Sequence, residues 1–258
     1  MKFRNEKINS LFSPEKISFI IPDYKRAYSW KKEQYEQFFS DLEEQSKSEN
    51  NYFFGNILVE KSEDSSQLEI VDGQQRITTI IIFIRSLINV CLERIKYEKT
   101  KINLPILEKT YIGSSDNPKL IPCKIDRNYF DTYIINNNKA QIKSKSQENI
   151  KNANNYFTRK LKSIKSVSKL SKILNKLQES AVTITVIERK TDSAFMFELQ
   201  NNRGKDITEM EQVKAYLMYQ IYINDKKNLV DNRIEDISEL FGKIYLSIND
   251  IKNITEDD

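Results

Sequence analysis

Histidine is absent from all 258 residues. That one absence excludes a Ser-His-Asp triad, a histidine-based zinc site and an HNH nuclease centre. Cysteine is nearly absent as well: Cys91 and Cys123 have apolar neighbours and no CxxC spacing, so both are expected to be buried free thiols. Neither GxxxxGK(S/T) nor GxGxxG occurs, which removes a P-loop and a Rossmann nucleotide site. The longest apolar stretch, 77–90, is interrupted by Thr78, Thr79, Arg85, Ser86 and Asn89, so no membrane span and no membrane partner are expected. The first ten residues are charged and lack the apolar segment of a secretion signal, which points to the cytoplasm.

What the chain does contain is concentrated in Ile70-Val71-Asp72-Gly73-Gln74-Gln75-Arg76-Ile77-Thr78-Thr79-Ile80. A buried strand ending at Val71 gives way to polar residues just where a long apolar helix begins. Ile77, Ile80, Ile81, Ile84, Leu87, Ile88 and Cys91 fall on one face of that helix at three- and four-residue spacing. At such a junction, unpaired backbone N–H groups and the positive end of the helix dipole attract phosphate, and Gly73 lets the backbone come close. Arg76, one turn in, adds a charged fork of donors. The same residues also suit a plain reading, in which Asp72 caps the helix, Gly73 makes a tight turn and Arg76 forms a surface ion pair. The density of polar groups favours the functional reading, because two glutamines, an arginine and two threonines are poor material for a core.

On that reading the site binds a nucleoside triphosphate. Amides from Gly73 to Gln75 receive phosphate oxygens, with Thr78 beside them, and Arg76 neutralises charge as the phosphoryl group leaves. Asp72 is the candidate for holding magnesium or activating water, and Gln74 or Gln75 for orienting the attacking water. The catalytic candidates are therefore Asp72, Gln74, Gln75 and Arg76.

Three ordered blocks resemble the N-terminal domain family of GmrSD-type, modification-dependent (type IV) restriction endonucleases. The first is Ile21-Pro22-Asp23-Tyr24-Lys25-Arg26-Ala27-Tyr28-Ser29-Trp30, similar to an Ile-Pro-x-Tyr-Gln-Arg-x-Tyr-x-Trp opening. The second is Asp72-Gly73-Gln74-Gln75-Arg76-Ile77-Thr78-Thr79. The third is Phe197-Glu198-Leu199-Gln200-Asn201-Asn202-Arg203-Gly204-Lys205-Asp206-Ile207-Thr208. Lys25 stands where the family usually has Gln, and Gln200 where it has an aliphatic residue. The resemblance implies a ParB/sulfiredoxin-like α+β fold and a module whose nucleotide turnover regulates DNA cleavage executed elsewhere. It brings Tyr24 and Arg26 towards the nucleotide, together with Asn201, Arg203, Gly204 and Lys205, although a helix C-cap accounts for that last block equally well. Family members often carry an HNH nuclease in a second, C-terminal domain. None is in this chain, so the nuclease is expected from a separate subunit or a missing domain.

Pattern reading gives strands at 17–21, 52–59 (with Gly55 as a bulge), 68–71 and 181–188. It gives helices at 31–45, 128–135, 147–163, 167–179, 193–200, 209–222 and 234–247. Residues 99–122, with three prolines, read as irregular structure or short strands. The expectation is an α+β protein with a ParB-like core over 1–125. A mainly helical part over 126–258 returns a strand and the Asn-Arg-Gly block to that core.

Charge is uneven. Residues 139–172 carry +9 while the rest of the chain sums to −5. Ile150, Ala153, Phe157, Leu161 and Ile164 form an inward stripe there, leaving Lys151, Lys162 and Lys165 outward. This face fits DNA as a partner, or is simply a solvated helix surface. Two other functions therefore stand beside the nucleotide-hydrolysing one: a DNA-binding or metal-dependent nicking ParB-like module, and a nucleotide sensor without turnover.

Overall fold

The computed structural model describes residues 2–13, 18–23, 25–48, 52–61, 67–95, 102–187, 209–224 and 229–250. The helix expected after the polar junction runs Gln74–Ile95 (α3) and is buried on nearly every face, with Ile77, Ile80, Ile82, Phe83, Ile84 and Leu87 fully inaccessible. α3 is long and apolar enough to cross a bilayer, yet 83% of that stretch lies inside the protein, where it is the central core helix.

Two helices pack on it through aromatic rings. Lys32–Gln45 (α2) brings Phe38 and Lys145–Ser163 (α6) brings Phe157; their rings meet Phe83 edge-on at centroid distances of 5.8 and 5.5 Å. α6 starts where the Ser144 side chain accepts from the Gln147 N–H, and Val167–Glu179 (α7) where Ser166 accepts from Lys169 N–H. The predicted inward stripe of α6, from Ile150 to Ile164, is buried throughout.

The strands are Lys2–Lys7 (β1), Ser18–Ile20 (β2), Phe53–Lys61 (β3), Gln67–Asp72 (β4), Leu120–Ile121 (β7) and Ala181–Ile187 (β8), with a small separate pair at Gly113–Ser114 (β5) and Asn117–Pro118 (β6). The six form one mixed sheet in the order β1-β8-β3-β4-β2-β7. β3 and β4 make the expected antiparallel hairpin, pairing Val59 with Ile70. β8 runs parallel to β3 and antiparallel to β1, so the late, β-branched strand is an internal one. The protein is thus α+β. One apolar cluster extends from Ile8 to Val186, so residues on both sides of position 125 share a single core.

Three features differ from the pattern reading. β1 lies in the charged N-terminal stretch, where alternating polar residues suit a sheet edge. Within the region read as irregular, Leu104–Tyr111 is a helix (α4), capped by the Asn103 side chain and carrying Pro105 in its first turn, where a missing N–H costs nothing. Lys124–Phe130 (α5) begins earlier than expected and continues as a π-helical turn, Asp131–Ile135. Near the C-terminal end, Glu209–Asn224 (α8) and Val230–Asp250 (α9) pack together through Met218 and Ile234. The helix expected at 193–200 lies outside the described residues.

Candidate functional site

The junction predicted from sequence exists. β4 ends at Asp72, Gly73 turns the chain at φ +97°, and α3 begins at Gln74. A Cβ on Gly73 would press on Ile57 Cγ1 at 3.2 Å, so both the left-handed backbone and the space ask for glycine. The carbonyl of Gly73 accepts from the Ile77 N–H at 3.1 Å, closing the first turn. Among the described residues, the amides of Gln74, Gln75 and Arg76 have no hydrogen-bond partner, as the first turn of a helix dictates.

Arg76 is placed with the help of a second glycine. Gly55, near the start of β3, has φ +106°, and a Cβ built on it would sit 2.2 Å from Arg76 Nη1. The guanidinium therefore lies against the strand backbone, and the pairing of β3 with β8 slips at that point. Its other side is held by Asp72, whose Oδ2 is 3.5 Å from Nη2. Asp72 is half-exposed and Arg76 mostly buried, so the pair forms the charged floor of an open corner.

The two glutamines divide into different jobs. Gln75 is nearly sealed: its Oε1 accepts from the Ser29 N–H at 2.9 Å and its Nε2 donates to the Ala27 carbonyl at 3.1 Å. Both ends of this amide are engaged with the 26–30 loop, so Gln75 locks that loop to α3. Gln74 is equally buried, at 7% exposure, but its side chain has no hydrogen-bond partner among the described residues. Thr78 also departs from expectation. It is 2% exposed, and its hydroxyl donates backwards to the Gln74 carbonyl at 2.8 Å, which turns it away from any ligand at the helix tip.

Arg26 is brought to the same end of α3. With Gln75, Thr78 and Asp126 it lines a cavity of about 10 Å³, room for about one water molecule. Around this cavity the opening loop is bonded from several sides. Thr79 gives its only hydroxyl hydrogen to the Gln75 carbonyl, so the Tyr28 hydroxyl must donate to Thr79 at 2.8 Å. The Tyr28 N–H donates to Asp126 Oδ2 at 3.4 Å, and Asn149 Nδ2 to the Tyr28 carbonyl at 3.3 Å. Burial raises the Tyr28 hydroxyl well above its ordinary value. Burial likewise pushes the Asp126 carboxyl up, to about 6, against the opposing bonds from Ser146 and the Tyr28 amide. Tyr28 is thus a core residue.

Asp126, Ser146 and Asn149 escaped the sequence reading as parts of the site, and no local pattern marks them. Gly55 had a signal: a glycine interrupting an apolar strand indicates a close approach. Tyr24, Asn201, Arg203, Gly204 and Lys205 lie outside the described residues. Lys151 on α6 and Lys165 in the turn that follows it are exposed without an ion pair among the described residues, whereas Lys162 meets Glu93 at 2.7 Å.

A mixed sheet delivering Asp-Gly-Gln-Gln-Arg to the tip of a buried helix, with an arginine loop bonded beside it, defines a domain built around one polar corner. The family whose pattern fits the chain is "GmrSD restriction endonuclease, N-terminal domain", over residues 8–218. The chain belongs to that family, and so to a component of a restriction system. No curated protein matches it.

Two outcomes test this geometry. Gly55→Ala is expected to destabilise the protein by more than about 1 kcal/mol in urea unfolding and to dislodge Arg76, because the backbone strain and the clash act together. For Asp126 the folded value lies above the ordinary 3.8, so its contribution to stability is complete below about pH 4 and is lost as pH rises through about 6. Between pH 4 and 7, wild type should lose up to about 3 kcal/mol relative to Asp126→Asn.

Proposed function

We propose that the protein is the nucleotide-binding, triphosphate-hydrolysing regulatory module of a modification-dependent restriction system. One observation carries this reading: three amides without partners and the Arg76 guanidinium share one end of α3. Amides and a helix dipole favour an anion, and a guanidinium held by a backbone and a carboxylate is already oriented before the ligand arrives.

The chemistry follows from the placements. Amides of Gln74, Gln75 and Arg76 receive phosphate oxygens, and Arg76 takes up the charge that grows as the terminal phosphoryl group departs. Gln74, with its amide uncommitted, positions the attacking water, and Asp72 accepts the proton. Among the described residues no cluster of three or more metal-ligating side chains occurs. A single carboxylate facing a guanidinium fits magnesium as an ion shared with phosphate oxygens, so Asp72 is the residue that would hold it. Bound there, magnesium would supply further neutralisation of phosphate charge.

A magnesium-dependent phosphate-release assay over the four ribonucleotides tests the proposal. Arg76→Ala and Asp72→Ala should each lower release at least about 100-fold. Equal release by wild type and both variants removes the enzymatic reading. Nucleotide binding, seen as a thermal shift, without release in wild type would leave a sensor.

Lys151 and Lys165, exposed and without an ion pair among the described residues, favour a second partner, the DNA backbone. Replacing both with Glu should flatten the dependence of DNA affinity on salt by about two in logarithmic slope. Unchanged slope and affinity would leave the face as solvated surface.

A further inference from the structure

The opening loop is clasped to α5 from both directions. At one end the Asp23 carboxylate accepts from the Lys124 N–H, in the first turn of α5, at 2.7 Å. At the other the Asp126 carboxylate, in that same turn, accepts from the Tyr28 N–H at 3.4 Å. Each element thus lends a carboxylate to a backbone amide of the other, and Arg26 falls between the two points of attachment.

Asp126 is 1% exposed and lines, with Arg26, the cavity that has room for about one water molecule. Thr78, one turn along α3 from the helix tip, lines the same cavity, so Asp126 stands within roughly 10 Å of a phosphate held at that tip. A buried carboxylate at that distance repels the phosphate and competes with it for the Arg26 guanidinium.

The hydrogen bonds let this charge change while the loop stays in place. Ser146 Oγ donates to Asp126 Oδ1 at 2.5 Å and lies 2.9 Å from Ser144 Oγ. When Oδ1 takes a proton it donates to Ser146 Oγ, and Ser146 turns its own hydrogen to Ser144. Oδ2 keeps the Tyr28 N–H in both states.

The loop presents Asp23, Arg26 and Tyr28 around Asp126, and α5 with its N-cap presents Cys123, Lys124, Arg127 and Tyr129. From α3 come the uncharged Gln75 and Thr78, and from α6 Ser146 and Ile150, while Lys145 at the start of α6 turns to Glu148. Burial holds the Tyr28, Cys123 and Tyr129 side chains above their ordinary values, so all three stay protonated at neutral pH and below. Asp126, raised by burial to about 6, changes charge within that range.

We propose that Asp126 is a positioning residue of the nucleotide site: it holds Arg26 beside the phosphates through the Tyr28 amide, and its protonation strengthens nucleotide binding. The role rests on the nucleotide reading above and adds a pH dependence that resides in one side chain. A unit charge at about 10 Å, in an effective dielectric of about 20, changes affinity roughly tenfold.

The test is calorimetric titration of the full chain with a non-hydrolysable nucleoside triphosphate between about pH 5 and about pH 7.5. Asp126→Asn keeps an oxygen acceptor for the Tyr28 N–H and carries no charge. The nucleotide's own titration is common to both proteins, so the ratio of their affinities isolates Asp126. The two should bind equally near the acid end and diverge around pH 6, wild type becoming at least about fivefold weaker at the other end. Ser146→Ala removes a bond that favours the charged form, and should move that midpoint upward. Asp126→Ala, with no acceptor for Tyr28, should bind several-fold more weakly than Asp126→Asn at every pH. Superimposed profiles of wild type and Asp126→Asn, a midpoint that Ser146→Ala leaves in place, or equal binding by the Ala and Asn variants overturns the proposal while nucleotide binding stands. No binding by wild type at any pH removes it together with the nucleotide reading.

Discussion

A guanidinium packs directly against the backbone of a β-strand only where the strand gives up a side chain, and Gly55 does so. Its left-handed backbone bulges β3 and clears the space that Arg76 Nη1 enters. On its other side the guanidinium meets Asp72, the last residue of the neighbouring strand. Strand, turn and helix thus meet around one cation, which contacts on two sides hold in place. Preorganisation of this kind is what electrostatic stabilisation of a developing charge requires.

The rest of the fold serves that corner by fixing the tip of α3. Below, the helix is anchored by aliphatic contacts and by the ring cluster of Phe38, Phe83 and Phe157. Above, Gln75 ties the opening loop through two hydrogen bonds, and Asp126 with Asn149 holds that loop from α5 and α6. The strand Ala181–Ile187 buttresses β3, and so the Gly55 bulge, from the far side. Late residues are accordingly part of the site's support, which is why one core crosses position 125.

The strand-to-helix junction was legible because two periodicities meet there, two in the strand and 3.6 in the helix, with glycine between them. Helices α2, α6 and α7 were legible from their apolar faces. α4 was not, since Pro105 reads as a breaker until its first-turn position is known. β1 was hidden by its charges, which an edge strand tolerates and a pattern reading discounts. The division of labour between Gln74 and Gln75 was beyond sequence altogether: adjacent, identical side chains differ only in what packs beside them. Thr78 illustrates the same point, a polar side chain in a polar motif that bonds its own helix. The loop bonds of Asp126 span about a hundred residues of sequence, and no spacing rule reaches so far.

The central claim is that the helix tip grips phosphate. Backbone amide chemical shifts of Gln74, Gln75 and Arg76, followed while a non-hydrolysable nucleoside triphosphate is added, measure it directly. These three amides should move together and saturate, along with the Arg76 side-chain N–H signals. Stationary amides at the tip, with the perturbed residues gathered elsewhere in the protein, would contradict the account.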